Sequence, residues 1–296
     1  MRNPLVSIII NCYNGEKYLS EAIKSILFQT YKNFEIIFWD NKSKDNSKCI
    51  YKNFNDKRLR YFYSEIHTSL YEARNLAIRK SKGDFIAFLD VDDYWEKNKL
   101  YKQVKKLKNK KVDLVYSNYF NLNQFTGLKK KAYNKKLPEG IIFKKLLNQY
   151  FIGIGTVLMK REVFFKNKEF FNKKYNIIGD FDFFVRISKK FFFASIQSPL
   201  LTYRIHNKSF SHNNYKIYIK EFKYWFKNQS IDCSDKFFYA IEKTLYMEAI
   251  INIFNRNYTL FIKKIYQIHS YKKKIKLLIF LLIPNFFLKK LINNFS

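Results

Sequence analysis

Cysteine is scarce in this chain, and its few copies do not form a recognisable set. Cys12, Cys49 and Cys233 are the only cysteines among 296 residues, an odd number without metal-ligand spacing. Such a set favours a reducing compartment over a disulfide scaffold. We expect no signal peptide at the N-terminus, because the strand-like run after Pro4 is broken at Asn11. We therefore expect a cytoplasmic protein.

The motifs of several enzyme classes are also missing. Neither G-x-G-x-x-G nor G-x-x-x-x-G-K-S/T follows the first strand-like run, which argues against a Rossmann dehydrogenase and a P-loop enzyme. The sequence has no G-x-S-x-G elbow in a Ser, Asp, His order and no zinc-ligand cluster. Hydrolases of that type and zinc-dependent enzymes are accordingly disfavoured.

No apolar run is long enough to cross a bilayer as a helix. The run at residues 277–288 is nearly all apolar, but it is well short of the roughly 20 residues that a span requires. Lysines at 272–274 and 276 and at 289–290 lie on its two sides. This pattern predicts a segment in the interface of an anionic membrane, which would make the protein peripheral at the inner face of the cell membrane. The alternative is a core or dimer helix, so a homo-oligomer stays open.

Acidic residues are few relative to basic ones. The chain has 24 Asp and Glu against 56 Lys and Arg, a formal net charge of +32. This balance predicts an anionic partner, such as a nucleic acid, an acidic membrane surface or a nucleotide diphosphate. The alternative is a lysine-rich solvated surface. Because 47% of the residues are hydrophobic and 20% aromatic, a disordered chain is excluded.

Strand and helix patterns alternate along the first half of the chain. Asn14 is the expected N-cap of the first helix. Strands are predicted at 5–10, 34–39, 59–63, 85–89, 112–116, 151–159, 191–196 and 200–206, with helices at 45–54, 96–109, 141–149 and 180–190 and others around 19–27 and 70–77. The order predicts an α/β fold with a mostly parallel sheet flanked by helices, followed by a helical extension from about residue 215.

Carboxylates follow the buried strand at residues 85–89. Asp90, Asp92 and Asp93 come directly after it, where open α/β sheets bind ligands. Side chains alternate along an extended segment, so Asp90 and Asp92 can face one way. Two such carboxylates suit Mn²⁺ or Mg²⁺ together with substrate phosphates. The alternative is a loop of solvated acids that caps the next helix.

Other strand ends supply polar side chains to the same edge. Asn11, Asp40 and Asn41 follow two other strands, and together with the carboxylates they describe a nucleotide crevice. Asp180, at a predicted helix start, is the candidate general base, with a plain N-cap as the alternative. His206 is a candidate ligand of the metal or phosphates, with a hydrogen-bonded structural residue as the alternative.

The order of these motifs resembles the family 2 glycosyltransferases of GT-A fold. The residues that carry the resemblance, from about residue 4 to 212, are VSIIINCYN at 6–14, SILFQTY at 25–31, WDNKSKDNS at 39–47, ARN at 73–75, GDFIAFLDVDD at 83–93, GDFDFFVR at 179–186 and YRIH at 203–206. They are similar to the family's VSIIIPTYN, SILNQTY, VDDGSTDNS, ARN, GEYIAFLDSDD, EDYDLWLR and YRIH. The resemblance implies a glycosyltransferase domain at 1–214, with a nucleotide-sugar half at 1–117 and an acceptor half at 118–214. The helical spacing predicts a separate helical region at 215–296, which carries no motif of the family.

The resemblance also implies an activity and residue roles. A sugar passes with inversion from a nucleotide sugar, expected to be a UDP-sugar, to a saccharide or lipid-linked saccharide in bacterial surface polysaccharide or lipo-oligosaccharide synthesis, with no nucleic acid partner. The implied contacts to the nucleotide sugar come from Asn11, Tyr13, Asp40, Asn41, Arg74 and Asp90. Asp92 and His206 are the implied metal residues. Asp180 matches the catalytic base that removes the acceptor's proton.

Four positions depart from the family pattern. Asn11-Cys12 stands where Pro-Thr is usual, Asn41 replaces an acid, and Lys42 replaces a turn glycine. Gly179 replaces the Glu before the base, so the pKa of Asp180 is expected to be lower than in relatives with two acids. Three other interpretations stay open: a sugar-phosphate nucleotidyltransferase, a basic nucleic-acid-binding module, and an inactive relative that binds sugar nucleotides.

Overall fold

The computed structural model describes residues 3–206, 214–228 and 238–283. The chain forms two compact units, Met1–Phe143 with Phe151–Arg204, and Lys144–Tyr150 with Ile205–Ser296. The assignment of a catalytic domain to residues 1–214, with its two halves, and of a separate helical region to 215–296 stays a prediction.

The strands of the described residues build one nine-stranded sheet. They are β1 (Val6–Cys12), β2 (Phe34–Asp40), β3 (Leu59–Tyr63), β4 (Phe85–Phe88), β5 (Tyr94–Trp95), β6 (Leu114–Asn123), β7 (Lys129–Lys131), β8 (Leu158–Lys160) and β9 (Phe193–Ile205).

Helices of the first unit connect these strands. They are α1 (Glu16–Leu27), α2 (Ser47–Lys52), α3 (Leu70–Arg79), α4 (Lys99–Leu107), α6 (Glu162–Phe165) and α7 (Gly179–Ile187), and a 3₁₀ turn spans Ile154–Thr156. Helix α5 (Phe143–Asn148) belongs to the second unit from Lys144 onward.

The sheet order is β3-β2-β1-β4-β8-β6-β9-β5, with β7 paired to β6. β1 pairs in parallel with both β2 and β4, and β2 with β3, which confirms the predicted parallel sheet for the first four strands. β8 pairs antiparallel with β4 and β6 and extends the sheet on the other side. The strand order reverses between β1 and β4, and such a switch point opens a crevice beyond the carboxyl ends of the strands.

The parallel strands have apolar sequences because both of their faces are buried. Every residue of β2 is buried, as is all of β1 except Asn11. Strands covered on both faces have no polar side to alternate with. Gly83 lets β4 approach β1, because a Cβ there would lie 2.6 Å from the Ser7 nitrogen.

The predicted N-cap at Asn14 is wrong. Helix α1 begins at Glu16, and the N–H groups of Gly15 and Glu16 donate to Ser47 Oγ (3.0 Å) and Asp45 Oδ2 (2.9 Å). Asn14 instead has a φ of 53° and accepts a hydrogen bond from the Lys44 nitrogen. The loop after β2 and the first residue of α2 therefore cap this helix, an arrangement that local spacing could not reveal.

The two strands predicted at 191–196 and 200–206 are one strand, β9. Pro199 lies within this strand, between Phe193, which bridges to Gly140, and the part that pairs with β5. The fixed φ of a proline is compatible with extended backbone, so the strand continues through it.

The second unit is helical from residue 215 in its described part. Its helices are α8 (Tyr215–Lys227), α9 (Phe238–Phe254), α10 (Tyr258–Gln267) and α11 (Tyr271–Leu281). Buried apolar residues of α9, α10 and α11 share one core, comprising Ala249, Ile250, Ile253, Phe261, Ile268, Leu277 and Phe280.

Buried Glu242 of α9 ties the start of α11 to that core. Its carboxylate accepts hydrogen bonds from the backbone nitrogens of His269 and Ser270 and pairs with Lys273 Nζ at 3.0 Å. Within the described helices, none combines the length and the apolar character that crossing a membrane requires. The end of the predicted interfacial segment, residues 284–288, lies outside the described residues.

Candidate functional site

Polar side chains collect at the carboxyl ends of β1, β2 and β4. Asp40 ends β2 beside Cys12 of β1, and Asp90 follows β4 within two residues. Because β1 pairs with both β2 and β4, these ends lie on one edge of the sheet, as predicted.

Arg74 of α3 forms an ion pair with Asp90. The distance from its Nη2 to Asp90 Oδ1 is 2.6 Å, and the Arg74 side chain is 3% exposed against 33% for Asp90. Burying a guanidinium is costly unless a carboxylate compensates it, so the pair fixes both groups. The Asp90 side chain stays partly exposed to solvent in this pair.

The turn after β4 is held by Arg204 of β9. The Arg204 backbone nitrogen donates to Asp93 Oδ1 at 2.9 Å, its Nε donates to the Asp92 carbonyl at 2.7 Å, and its Nη2 binds Glu21 at 2.6 Å. These bonds join residues more than 100 positions apart. Sequence reasoning missed Arg204 as a site residue, although it lies within the YRIH motif.

The carboxylate oxygens of the turn after β4 suit a hard divalent cation as ligands. Burial and the neighbouring charges of Asp92 and Asp90 raise the pKa of Asp93 well above its ordinary value, which marks a site crowded with negative charge. In the described part of the chain, no group of three or more His, Cys, Asp or Glu side chains could by itself hold a metal ion. Mg²⁺ and Mn²⁺ commonly need only one or two carboxylates when substrate phosphates complete the coordination. The residues present therefore fit such an ion.

Asp180 lies in the first turn of α7, one residue after the helix starts, while Ile178 holds the N-cap position. Its Oδ1 accepts hydrogen bonds from the Phe181 nitrogen at 2.8 Å and from the Tyr71 hydroxyl at 3.3 Å. The same hydroxyl lies 2.9 Å from the Ile177 carbonyl oxygen. Tyr71, on α3 and 2% exposed, thus holds the turn that carries Asp180.

Gly179 is required by this packing. A Cβ at residue 179 would lie 2.4 Å from Cδ2 and 2.5 Å from Cε2 of the Tyr71 ring. The ring occupies the space that any side chain at residue 179 would need.

The environment of Asp180 raises its pKa. Burial is the largest cause and the Asp90 charge adds to it, whereas the Arg74 guanidinium and the hydrogen bonds from Phe181 and Tyr71 oppose it. A carboxylate with a raised pKa is a stronger base. The sequence also predicts a lower pKa for Asp180 than for the base of relatives that have Glu at the preceding position. That comparison stays a prediction, because it depends on the pKa values of those relatives.

Tyr13 and His67 form an aromatic pair beyond the end of β1. Their ring centroids are 4.2 Å apart with planes inclined by 45°, and Tyr13 is 50% exposed. An exposed ring pair offers a face on which a planar base can stack. His67 was not predicted, and its only sequence signal is its place in the loop that follows β3.

Asp40 and Asn41 are buried and bonded within the protein. Asp40 accepts from the Ser43 nitrogen at 2.8 Å and from the Tyr61 hydroxyl at 2.7 Å. The Asn41 amide donates to the Thr68 carbonyl at 2.9 Å and accepts from the Thr68 nitrogen and hydroxyl. In this arrangement both residues position loops. Their direct contact with the nucleobase of a sugar nucleotide stays a prediction.

The remaining predicted residues have distinct settings. Asn11 is partly buried, and its Nδ2 has no hydrogen-bond partner in the described structure. Burial raises the pKa of the Cys12 thiol to about 11, so this cysteine is protonated at neutral pH. Lys42 has a φ of 69°, the left-handed conformation that a glycine adopts without strain. His206 follows β9 and belongs to the second unit, so its role at the metal stays a prediction.

Comparison with known proteins identifies relatives. The family model for glycosyl transferase family 2 matches residues 7–167. The chain is 37% identical over 161 residues to the UDP-Glc:alpha-D-GlcNAc-diphosphoundecaprenol beta-1,3-glucosyltransferase WfgD of Escherichia coli, covering 54% of this chain and 62% of WfgD, less than two thirds of that protein. It is 34% identical over 220 residues to WfaP of Escherichia coli, which has the same described activity, covering 73% of this chain and 84% of WfaP.

A solved structure has the same fold. S. aureus TarS 1-349 in complex with UDP-GlcNAc superimposes with a TM-score of 0.61 at 16% identity, over 82% of this chain and 72% of that chain. This likeness concerns the fold alone and confirms the predicted GT-A architecture. Since the family model covers more than half of the sequence, the chain belongs to glycosyl transferase family 2.

Proposed function

We propose that this glycosyltransferase moves a sugar from a UDP-sugar to a lipid-linked saccharide, with inversion at the anomeric carbon and a divalent cation. The observation that carries the proposal is a continuous set of contacts, in which Asp90 binds Arg74, Arg74 lies over the Tyr71 ring, and Tyr71 binds Asp180. These contacts bring the predicted donor residue and the predicted base into one site.

Asp180 is the proposed general base. It removes the proton from the attacking hydroxyl of the acceptor while the bond between the anomeric carbon and the diphosphate breaks on the opposite face of the sugar. A single base suffices for one in-line displacement. Arg74 keeps the carboxylate ionised against the pKa-raising effects of burial and of Asp90.

Asp92 is the proposed metal residue, with Asp90 beside it. When bound, Mn²⁺ or Mg²⁺ would neutralise the diphosphate as it leaves. Arg204 holds the turn through the Asp92 carbonyl, which would orient these carboxylates before the UDP-sugar binds. The nucleobase of the UDP-sugar is proposed to be surrounded by Asn11, Tyr13, Asp40 and Asn41. The exposed ring of Tyr13 would stack on it.

The donor and acceptor classes are supported by the relatives. WfgD and WfaP are described as enzymes that use UDP-Glc and α-D-GlcNAc-diphosphoundecaprenol. We extend only the classes to this chain, a UDP-sugar and a saccharide on a lipid diphosphate, in the synthesis of a bacterial surface glycan. Such an acceptor would bring the enzyme to the inner face of the cell membrane.

Titration calorimetry with UDP and GDP tests the nucleotide and metal parts of the proposal. UDP should bind with Mn²⁺ and lose at least about tenfold in affinity in excess chelator or in Asp92→Asn, because the diphosphate then lacks its counter-charge. The control Glu162→Gln removes an exposed carboxylate elsewhere in the unit and should bind UDP normally. Preference for GDP, or UDP binding that ignores both chelator and Asp92→Asn, would contradict the proposal.

A further inference from the structure

Helix α11 presents apolar side chains to solvent. Tyr271 is 75% exposed, Leu278 51% and Leu282, the residue after the helix, 84%. With Ile275 they recur at i, i+4, i+7 and i+11, which places them on one side of the helix. Ile279 and Leu281 are also exposed.

The opposite side of α11 is the side that packs in the core. Leu277 and Phe280 are buried there with residues of α9 and α10. A surface helix of a globular protein ordinarily covers its outer side with polar groups, so α11 is apolar where solvent contact would require polarity. We call its exposed residues Tyr271, Ile275, Leu278, Ile279, Leu281 and Leu282 the outer face.

The lysines of α11 have different surroundings. Lys273 is engaged with Glu242, and Lys276 is half-buried with its Nζ 5.6 Å from the centre of the Phe280 ring. By helical spacing Lys272 lies at one border of the outer face and Lys274 near the other, next to Leu281; Lys272 is exposed and Lys274 partly exposed. The sequence from 271 to 283 contains no Asp or Glu.

We propose that the outer face of α11 binds the surface of an anionic lipid bilayer, with the helix lying in the plane of the interface. The apolar side chains would enter the acyl boundary, and Lys272 and Lys274 would meet lipid phosphates. The net charge of +32 adds long-range attraction to such a surface. A second copy of the chain is disfavoured as the occupant, because its lysines would meet the lysines on the borders of this face.

Two groups of variants separate the apolar and the ionic contributions. Leu278→Ser/Leu282→Ser removes two apolar contacts, and Lys272→Gln/Lys274→Gln removes the bordering charges. Matched controls in the first unit are Phe125→Ser/Leu128→Ser, at residues 45% and 50% exposed, and Lys102→Gln/Lys105→Gln on the exposed side of α4.

Vesicle co-sedimentation of the full chain tests the proposal without any need for turnover. With vesicles of equimolar phosphatidylcholine and phosphatidylglycerol, both α11 variants should lose at least about tenfold in partition coefficient, while the controls lose less than about twofold. Phosphatidylcholine alone should bind the wild-type chain weakly, and added NaCl should release it from the anionic vesicles.

Three results would overturn the proposal. The first is equal binding of the wild-type chain to neutral and anionic vesicles. The second is unchanged vesicle binding by Leu278→Ser/Leu282→Ser, and a lowered melting temperature in that variant would then show that other parts of the chain cover the face. The third is a lipid-free dimer that this variant dissociates in light scattering, which would assign the face to a second copy.

Discussion

Replacing Gly179 by alanine should displace the ring that holds the proposed base. The new Cβ would lie 2.4 to 2.6 Å from three carbons of the Tyr71 ring, whereas carbon atoms in contact are separated by about 3.5–4.0 Å. The ring must therefore move by about 1 Å. It is 2% exposed and lies 5.6 Å from the ring of Phe171, so this movement compresses the core.

The Gly179→Ala change affects the free energy of unfolding in two opposite ways. Overpacking of this kind costs about 1–3 kcal/mol. Alanine in place of glycine in a helix returns about 1 kcal/mol. The net loss in the free energy of unfolding should be about 0–2 kcal/mol, and the shifted Asp180 should lower kcat by about a hundredfold.

A double-mutant cycle with Tyr71→Leu isolates the clash. In that background the leucine side chain can move away from the new Cβ. Gly179→Ala should therefore leave the free energy of unfolding unchanged or raise it in urea denaturation. Gly153→Ala is the control, because its Cβ would meet its nearest neighbour at an ordinary 3.5 Å. A Gly179→Ala variant with wild-type stability and turnover would refute the reasoning, as would equal costs in the two backgrounds.

Three further predictions concern other parts of the chain. Lys42→Gly should raise the free energy of unfolding by up to about 1 kcal/mol, since glycine adopts the observed φ of 69° without strain. Glu242→Gln should lower it by about 1–2 kcal/mol, because the charged hydrogen bonds at the start of α11 are weakened. In Arg74→Gln the acid limb of the kcat/KM profile should move to higher pH, because Arg74 lowers the pKa of Asp180.

Each of these predictions has its own check. Lys44→Gly, in the same loop but at a residue without a positive φ, should destabilise the protein, and equal effects at residues 42 and 44 would contradict the strain argument. The hydrogen bonds and Lys273 lower the folded-state pKa of Glu242, so its stabilisation is present above the unfolded-state pKa and is lost as the pH falls through the folded value. The Glu242→Gln deficit should shrink in acid, and a constant deficit would argue against a charge effect. An unmoved acid limb in Arg74→Gln would separate Arg74 from the base.

Local patterns predicted the parallel half of the sheet and the carboxylates at its edge. Apolar runs mark buried strands, and the residues that follow such a run must lie at the strand end, so Asp40 and Asp90 could be placed from sequence. The family 2 motifs, confirmed by the family model, favour the transferase over the nucleotidyltransferase and nucleic-acid alternatives.

The contacts that complete the site could not be predicted. Tyr71 meets Asp180 across 109 residues, and Arg204 meets Glu21 across 183 residues. Helical or strand spacing carries no information about such pairs. The position of Asn41 at a strand end was predicted from sequence. Its hydrogen bond to the Thr68 carbonyl was not, because it depends on the loop that carries Thr68.

The central claim is that Asp180 is the base for transfer from a UDP-sugar. The most direct measurement incubates the enzyme with Mn²⁺, a panel of UDP-α-sugars and synthetic saccharide-diphosphoryl lipids, and follows the product by mass spectrometry and NMR. We expect the wild-type product to have the inverted anomeric configuration relative to the donor, and transfer by Asp180→Asn to be at least about a thousandfold slower with UDP affinity unchanged. A product of retained configuration, or wild-type transfer by Asp180→Asn, would contradict this claim.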